Sequence, residues 1–330
     1  MLKNRYEIMA MVSAVNCNPN GDPDMDNRPR VDMETGRGLI TDVAFKARIR
    51  RAVENIKGKD PHYQMLFHDS NSINMEIARA ALKANKTDKL DKNNQVAETR
   101  RLMEETFWDV RTFGGVLSTG LNAGQVRGPV QVAMASSVDP VDVQSLTITR
   151  NSYAEGNFGT LKEYEDADAA RPSDKKRTMG NKKYIPFGLY VMKISVSANL
   201  ARNTNFSEED FKVLLEGIAA MYQDDISASK MGMSLVGPII VFKHIGTQAD
   251  NNSEQNHIEA MLGCARADQL FDLLRIVKKE NVTYPRSIHD YNVYFDMEHL
   301  PKGIIAGFKN EIFDDIDWEM KDVNGFFTKG

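Results

Sequence analysis

The sequence predicts an α+β fold, built as one scaffold with long insertions, and three observations carry the prediction. Apolar segments with a period of two and segments with helical spacing follow in the order strand, helix, strands, helix, strand, without the strict alternation of a parallel α/β protein. Polar, charge-rich stretches separate these segments and read as insertions. The chain has 330 residues, slightly more than a single core fills, which suits one elaborated domain.

In chain order, RYEIMAMVSAV places Tyr6, Ile8, Ala10 and Val12 in alternation with Glu7, Met9, Met11 and Ser13, the pattern of a strand. NPNGDPD stops it, because Asn, Gly, Asp and Pro supply turn geometry and Pro removes a backbone donor. After a loop to about Ile40, Thr41 is a good N-cap for a helix whose Phe45, Ile49, Val53 and Ile56 share one face. Lys46 and Arg50 share another. Residues 60–105 read as helical and polar, an insertion and not a second core, with the solvated run KANKTDKLDKNNQ in its middle. QVRGPVQVAMAS reads as one strand with Pro129 near its start or at a bulge. Residues 139–183 hold a short strand SLTITR, the acidic stretch EYEDADA and the basic RPSDKKRTMGNKKY, a composition that favours an exposed arm. YIPFGLYVMKISVSANL returns to strand character. Ser207 caps a helix that opens with Glu208, Glu209 and Asp210, acids suited to the helix dipole. GPIIVFKHI is a further strand, and HIEAMLGCARADQLFDLLRIVKKE after the NNSEQN loop reads as one helix.

Composition excludes several classes. Forty-two Lys and Arg face forty-six Asp and Glu, a formal net charge of −4, so the chain is no polycation. Cys17 and Cys264 are the only cysteines, which excludes a disulfide framework and a four-cysteine zinc site and suits a reducing compartment. No stretch approaches 18 consecutive apolar residues, and the N-terminus lacks a signal peptide's apolar run, so the expectation is a cytoplasmic protein without a membrane partner.

The charge is unevenly placed. Residues 28–59 hold nine cations (among them Arg28, Arg30, Arg37, Lys46, Arg50 and Arg51) against four acids, a net +5. Residues 171–183, with Lys175, Lys176 and Arg177, also carry +5, which leaves −14 for the rest. Six acids and one lysine in residues 311–322 hold part of that remainder. Concentrated positive charge on a loop, a helix face and an arm is what neutralising successive phosphates requires, although a charge run of this kind also suits a solvated surface.

Other constellations are weaker. TGRGLIT sets Gly36, Arg37 and Gly38 before a helix N-terminus, where an anion or a plain turn fits, and it lacks the third glycine of a dinucleotide fingerprint. Asp22, Asp24 and Asp26 alternate, but a calcium loop fails because Asn27 stands at its glycine position and Met33 at its final glutamate. A divalent-metal nuclease site and a solvated turn both remain for that loop. The six histidines show no i, i+4 metalloprotease pair, and G-x-S-x-G, a Walker loop, zinc spacing and an RNP1 string are absent. The seventeen methionines read as core filler.

The ordered segments strand–NPNGDPD–RVDMETGRGLITDVAFKARIRR, DVRTFGG and QVRGPVQV resemble the backbone subunit of the CRISPR Cascade complex, the Cas-seven family of the RAMP superfamily, and most closely its type I-C branch. The resemblance covers most of the chain. It implies a modified RRM-like (ferredoxin-like) palm with an antiparallel sheet and inserted finger and thumb elements, a hand-like α+β fold. Residues 1–59 would begin the palm, 60–105 form a helical finger, 106–138 palm strands, 139–183 the thumb, and 184–330 the rest of the palm with a C-terminal helical part.

By the same resemblance the chain binds CRISPR RNA (crRNA), stacks head to tail with further copies, and presents the guide for pairing with a target DNA strand in antiviral defence. Each thumb would cross its neighbour's nucleic acid and kink it. The implied partners are also Cas-five-type, Cas-eight-type large and small Cascade subunits. Carried over by position, Lys46 and Arg50 match a basic first-helix pattern for guide phosphates, with Arg28, Arg30, Arg37 and Arg51 around it. Arg111, Gln125 and Arg127 look like palm-edge contacts, and Lys175, Lys176 and Arg177 like thumb contacts. Type III relatives cut RNA with an aspartate in the loop that here holds Asp22, Asp24, Asp26 and Asp32. Resemblance to type I predicts no catalysis, cofactor or metal, with a metal-dependent ribonuclease as the competing class.

Overall fold

The computed structural model describes residues 1–86, 89, 95–154, 156–250, 253–320 and 324. The KANKTDKLDKNNQ run, the NNSEQN loop and the acidic 311–322 segment therefore lie partly outside the described residues.

Strand β1 (Tyr6–Cys17) leads to the short strands β2 (Gly21–Asp22) and β3 (Arg28–Pro29), then β4 (Arg37–Ile40) and α1 (Asp42–Lys57). Helices α2 (Ile73–Asn85), α3 (Val96–Thr106) and α4 (Trp108–Phe113) precede β5 (Gly114–Val116), β6 (Gln125–Arg127), β7 (Val130–Val132), β8 (Ala135–Pro140) and β9 (Gln144–Arg150). Helix α5 (Leu161–Ala170) comes before the longest strand, β10 (Thr178–Val196), followed by α6 (Ala198–Thr204), α7 (Glu208–Ala220) and β11 (Met233–His244). The chain ends in α8 (Glu254–Leu262), α9 (Ala267–Phe271), β12 (Leu274–Lys278), β13 (Tyr291–Phe295) and β14 (Ile304–Lys309).

The main sheet runs β14-β11-β1-β10-β8-β4, with β7 and β9 also paired to β10, and its ladders are antiparallel. This is a mixed α/β molecule around a large antiparallel sheet. β1 lies at its centre and is buried on both faces from Tyr6 to Ala14. Tyr6, Ile8, Ala10 and Val12 enter one core with α1 and α7, while Met9 and Met11 enter a second with β12, β13 and β14. The two-residue alternation in the sequence therefore separates two cores, not core from solvent.

Local signals explain the first face. Thr41 accepts a hydrogen bond from the Ala44 N–H and starts α1, and Phe45, Ile49 and Val53 are fully buried against α7. Each such side chain contributes about 1.5–3 kcal/mol by leaving water. Ser207 and Asp210 form a capping box at the start of α7. The helices cross closely at Gly217, where a Cβ would meet Val53 Cγ2 at 2.6 Å.

Three expectations are corrected, and one stretch of the exposed arm takes a form that the sequence reading did not name. Residues 60–105 contribute to a core of their own, since Leu66, Ile77, Met103, Phe107, Val110 and Leu117 form a separate apolar cluster. The strand expected at QVRGPVQV is two: β6 pairs β5, β7 pairs β10, and Gly128-Pro129 breaks them because Pro cannot donate to a ladder. The single helix expected after NNSEQN ends at Leu262, where Gly263 takes φ +109°, and the β-branched Ile276 and Val277 continue as strand β12. The acidic stretch of the arm is helix α5, started by a Thr160–Glu163 capping box.

Candidate nucleic-acid interface

The loop after β1 is stitched to three distant segments. Arg48, on α1, donates from Nη2 to the Pro19 carbonyl at 3.1 Å and from Nε to Asp225 at 2.8 Å. Lys230 donates to the carbonyls of Asn18 and Pro19 at 2.6 and 2.9 Å. Burial pushes the Lys230 ammonium down to about 8, with Arg48 nearby adding to the effect. Asn20 accepts from the Thr41 N–H at 2.9 Å and so fixes the loop against the start of α1.

The third segment is the arm. β9 and the first part of β10 pair over seven positions, from Gln144↔Tyr184 to Arg150↔Thr178. Because side chains alternate across a ribbon, Lys182 and Lys183 leave its opposite faces. Lys182 donates to the Ala228 carbonyl at 2.8 Å, and Lys183 reaches Asp26 at 2.6 Å. The arm is held at its base from both sides. A cleft of about 460 Å³ opens beside it, lined among others by Met25, Arg28, Met33, Val141 and Val143.

The expected contact residues divide into two groups. Arg28, Arg37, Gln125, Arg127, Lys175 and Arg177 are exposed. The five cations in this group have no ion pair among the described residues. Arg51 is exposed but bridges Asp225 at 2.9 Å. Arg30 pairs with Asp22 at 3.3 Å, Lys46 with Asp42 at 2.9 Å, and Lys176 with Asp168 at 2.8 Å, all on sites still reached by solvent.

Arg50 and Arg111 do different work. Arg50 donates to Asp109 at 2.9 Å and lies over the rings of Phe67 and Phe113, at 5.0 and 5.2 Å from their centroids. Asp109 is fully buried and also accepts from the Leu66 and Phe67 N–H groups. Arg50 thus shares a helix face with Lys46 as expected, but its guanidinium turns inward and clamps α4 to α1. Arg111 is buried, donates from Nε and Nη2 to Asp210 Oδ1 at 3.0 and 2.8 Å, and lies over Tyr63. Both guanidiniums are held by carboxylates within the fold, Arg50 by Asp109 and Arg111 by Asp210.

The aspartate loop has structural partners as well. Asp22 accepts from the Asp24 N–H besides pairing with Arg30, and Asp26 holds the arm. Asp32 accepts from the Thr35 hydroxyl at 2.8 Å and the Glu34 N–H at 3.0 Å, hydrogen bonds that hold its carboxyl below the usual range. Among the described residues, no group of three or more His, Cys, Asp or Glu is placed to hold a metal ion. Gly38, in the TGRGLIT segment, packs against Tyr190, whose hydroxyl lies 2.2 Å from where a Cβ would stand, so this glycine serves close packing. The roles of Lys182, Lys183, Arg48 and Lys230 were not singled out from sequence, since their partners lie far along the chain.

No helix among the described residues is long and apolar enough to cross a membrane. Residues 4–296 match the family model described as CRISPR-associated protein Cas7. A curated relative from Haloferax volcanii, itself described as CRISPR-associated protein Cas7, is 28% identical over 227 residues, 64% of this chain and 62% of the relative. The chain thus spans under two thirds of that relative's length. Two solved chains from structures titled CRISPR RNA-guided surveillance complex, one of them pre-nicking, are each 14% identical over 73% of this chain. They cover 78% and 69% of their own lengths, with TM-scores of 0.46 and 0.41.

Proposed function

The chain belongs to the Cas7 family of CRISPR-associated proteins, and from that premise we propose that it is a crRNA-binding backbone subunit of a Cascade surveillance complex of type I-C. The observation that carries this reading is a set of exposed cations, without ion pairs among the described residues, on separate segments: Arg28 and Arg37 before α1, Arg127 on β6, and Lys175 and Arg177 on the arm. Solvent-reaching Lys46 joins them at the start of α1. Such side chains hold a phosphodiester backbone without reading its bases, so the guide is positioned by charge and its sequence is read by pairing with target DNA.

On this reading the main sheet with α1 and α7 is the RRM-like palm, α2 and α3 belong to the finger, and the β9–β10 arm is the thumb. A thumb anchored at its base by Lys182 and Lys183 extends about 20 Å over seven paired residues. Copies related head to tail make a non-closing contact and so follow the RNA as a helical filament, joined by Cas-five-type and Cas-eight-type large and small subunits. The subunit acts in the cytoplasm of its cell.

The chain works in this reading as a scaffold and not as an enzyme, with Asp22, Asp26 and Asp32 serving the loop and the arm. The competing reading, a metal-dependent ribonuclease, predicts regularly spaced fragments when the assembled complex meets labelled complementary RNA and Mg²⁺. The scaffold reading predicts intact RNA. The first test is the absorbance ratio at 260 and 280 nm of the purified protein: a guide-binding subunit copurifies with RNA, and a nucleic-acid-free ratio contradicts the proposal.

A further inference from the structure

A strand edge with free backbone groups invites further pairing, and the main sheet closes both of its own. Beyond β4, the Leu39 N–H donates to the Arg30 carbonyl and the Asp32 N–H to the Arg37 carbonyl, both at 2.8 Å. Beyond β14, Phe308 and Asp317 exchange backbone hydrogen bonds at 2.9 and 2.8 Å. The arm is different. β9 pairs with β10 and with no other strand among the described residues, and Ser145 to Arg150 are all exposed. Its outer row of N–H and C=O groups therefore faces water.

The sequence of that edge, QSLTITR, carries none of the devices that discourage pairing: it has no proline, no bulge and a single charge, Arg150, at its end. Across the ribbon, β10 presents Lys182 and Lys183 on the opposite edge. Register sorts the β9 side chains into two sets. Leu146 and Ile148 stand opposite Lys182 and Gly180 and share one face, where they are 50% and 54% exposed. Ser145, Thr147 and Thr149 share the other face.

We propose that β9 of one copy pairs antiparallel with β9 of a second copy of this chain, with Thr147 on the two-fold axis. The self-complementary register is what selects a second copy as the occupant. Leu146 meets Ile148 of the second copy and Ser145 meets its Thr149, so apolar faces apolar and hydroxyl faces hydroxyl. Moving the axis to Leu146 or to Ile148 would set Ile148 against Gln144 or Leu146 against Arg150. With Thr147 on the axis, Arg150 meets Gln144 of the second copy, whose amide donates to Asp142 at 2.7 Å, and so approaches a carboxylate at each end of the seam. The other ribbon charges, Lys182 and Lys183, lie one strand further out and turn to Ala228 and Asp26 of their own molecule. The contact is isologous and closes at two copies, unlike a head-to-tail contact, so it belongs to the RNA-free chain and goes beyond guide binding. Two seven-residue edges bury less than the about 1,200 Å² of a stable interface, so the dimer is weak.

Cysteine crosslinking of the full chain freed of RNA tests the register. Position 147 stands opposite itself, within reach of a disulfide, whereas 145 and 149 each stand about 14 Å from their own equivalents, four residues along the strand. Under a mild oxidant Thr147→Cys gives a covalent dimer, about tenfold more than Ser145→Cys or Thr149→Cys alone. A one-to-one mixture of those two variants crosslinks again, because 145 meets 149. The unaltered chain, which keeps Cys17 and Cys264, stays uncrosslinked. In sedimentation velocity over a concentration series, Leu146→Lys with Ile148→Lys weakens the dimer about tenfold, since each lysine then opposes another. Leu146→Lys with Ile148→Glu keeps it within about threefold of the unaltered chain, since each lysine then opposes a glutamate. An unaltered chain that stays monomeric throughout the series overturns the proposal, as does equal crosslinking at 145, 147 and 149 or equal association of the two charged variants. Neither measurement contains RNA, so failure here is distinct from a failure of guide binding.

Discussion

Lys183 of the arm meets Asp26 of the post-β1 loop at 2.6 Å, joining residues 157 positions apart in sequence. The aspartate is 83% exposed, so the pair acts as a tether in water and not as a stabilising core contact. It couples the loop that holds Asp22, Asp24 and Asp26 to the arm that leaves the sheet.

Lys183→Ala is expected to loosen the arm with little effect on global stability. Hydrogen exchange in β9 should quicken while the melting temperature stays nearly constant, since exposed ion pairs contribute about 0–1 kcal/mol. A large fall in melting temperature would show that the tether supports the core instead.

Arg50→Ala is expected to destabilise the protein by about 3 kcal/mol, because it leaves buried Asp109 without its cation. Thermal unfolding should show the loss. Arg50→Lys should recover little, since an ammonium lacks the broad guanidinium that bonds Asp109 while lying over the rings of Phe67 and Phe113. Unchanged melting of the alanine variant would contradict the clamp between α1 and α4.

Glu104 gives a pH-dependent expectation. Burial pushes its carboxyl up to about 7, above its unfolded value, so the folded chain binds more protons than the unfolded one between about 4.5 and 7. Its contribution is therefore fully present at low pH and is lost as pH rises through that window. Relative to Glu104→Gln, the unaltered protein should lose about 1–2 kcal/mol between pH 5 and pH 8 in urea unfolding, a figure reduced for partial solvent screening. A constant difference across that range contradicts the assignment.

Local signals were legible in the sequence wherever a residue and its partner lie close together. Thr41 before Ala44, Ser207 before Asp210, and the Phe45–Ile49–Val53 stripe each declare themselves within a turn or two of helix. Arg50 was legible as a helix-face cation but not as a buried clamp, since Asp109 stands 59 residues away. Helix α5 escaped because a helix that buries nothing has no apolar period to read. Residues 257–280 misled because helical spacing continued past Gly263 until β-branched residues took over. The net charge of −4 was the least informative number, since it sums over segments of opposite sign.

The salt dependence of RNA binding tests the central claim most directly. Filter binding of the full chain to single-stranded guides of several sequences, over a salt series, should give one slope common to all sequences. Arg28→Ala with Arg37→Ala should flatten that slope by about 1.4, the loss of two phosphate contacts on a single strand, and should weaken every sequence alike. An unchanged slope, or a loss confined to particular sequences, would contradict guide binding through this cationic surface.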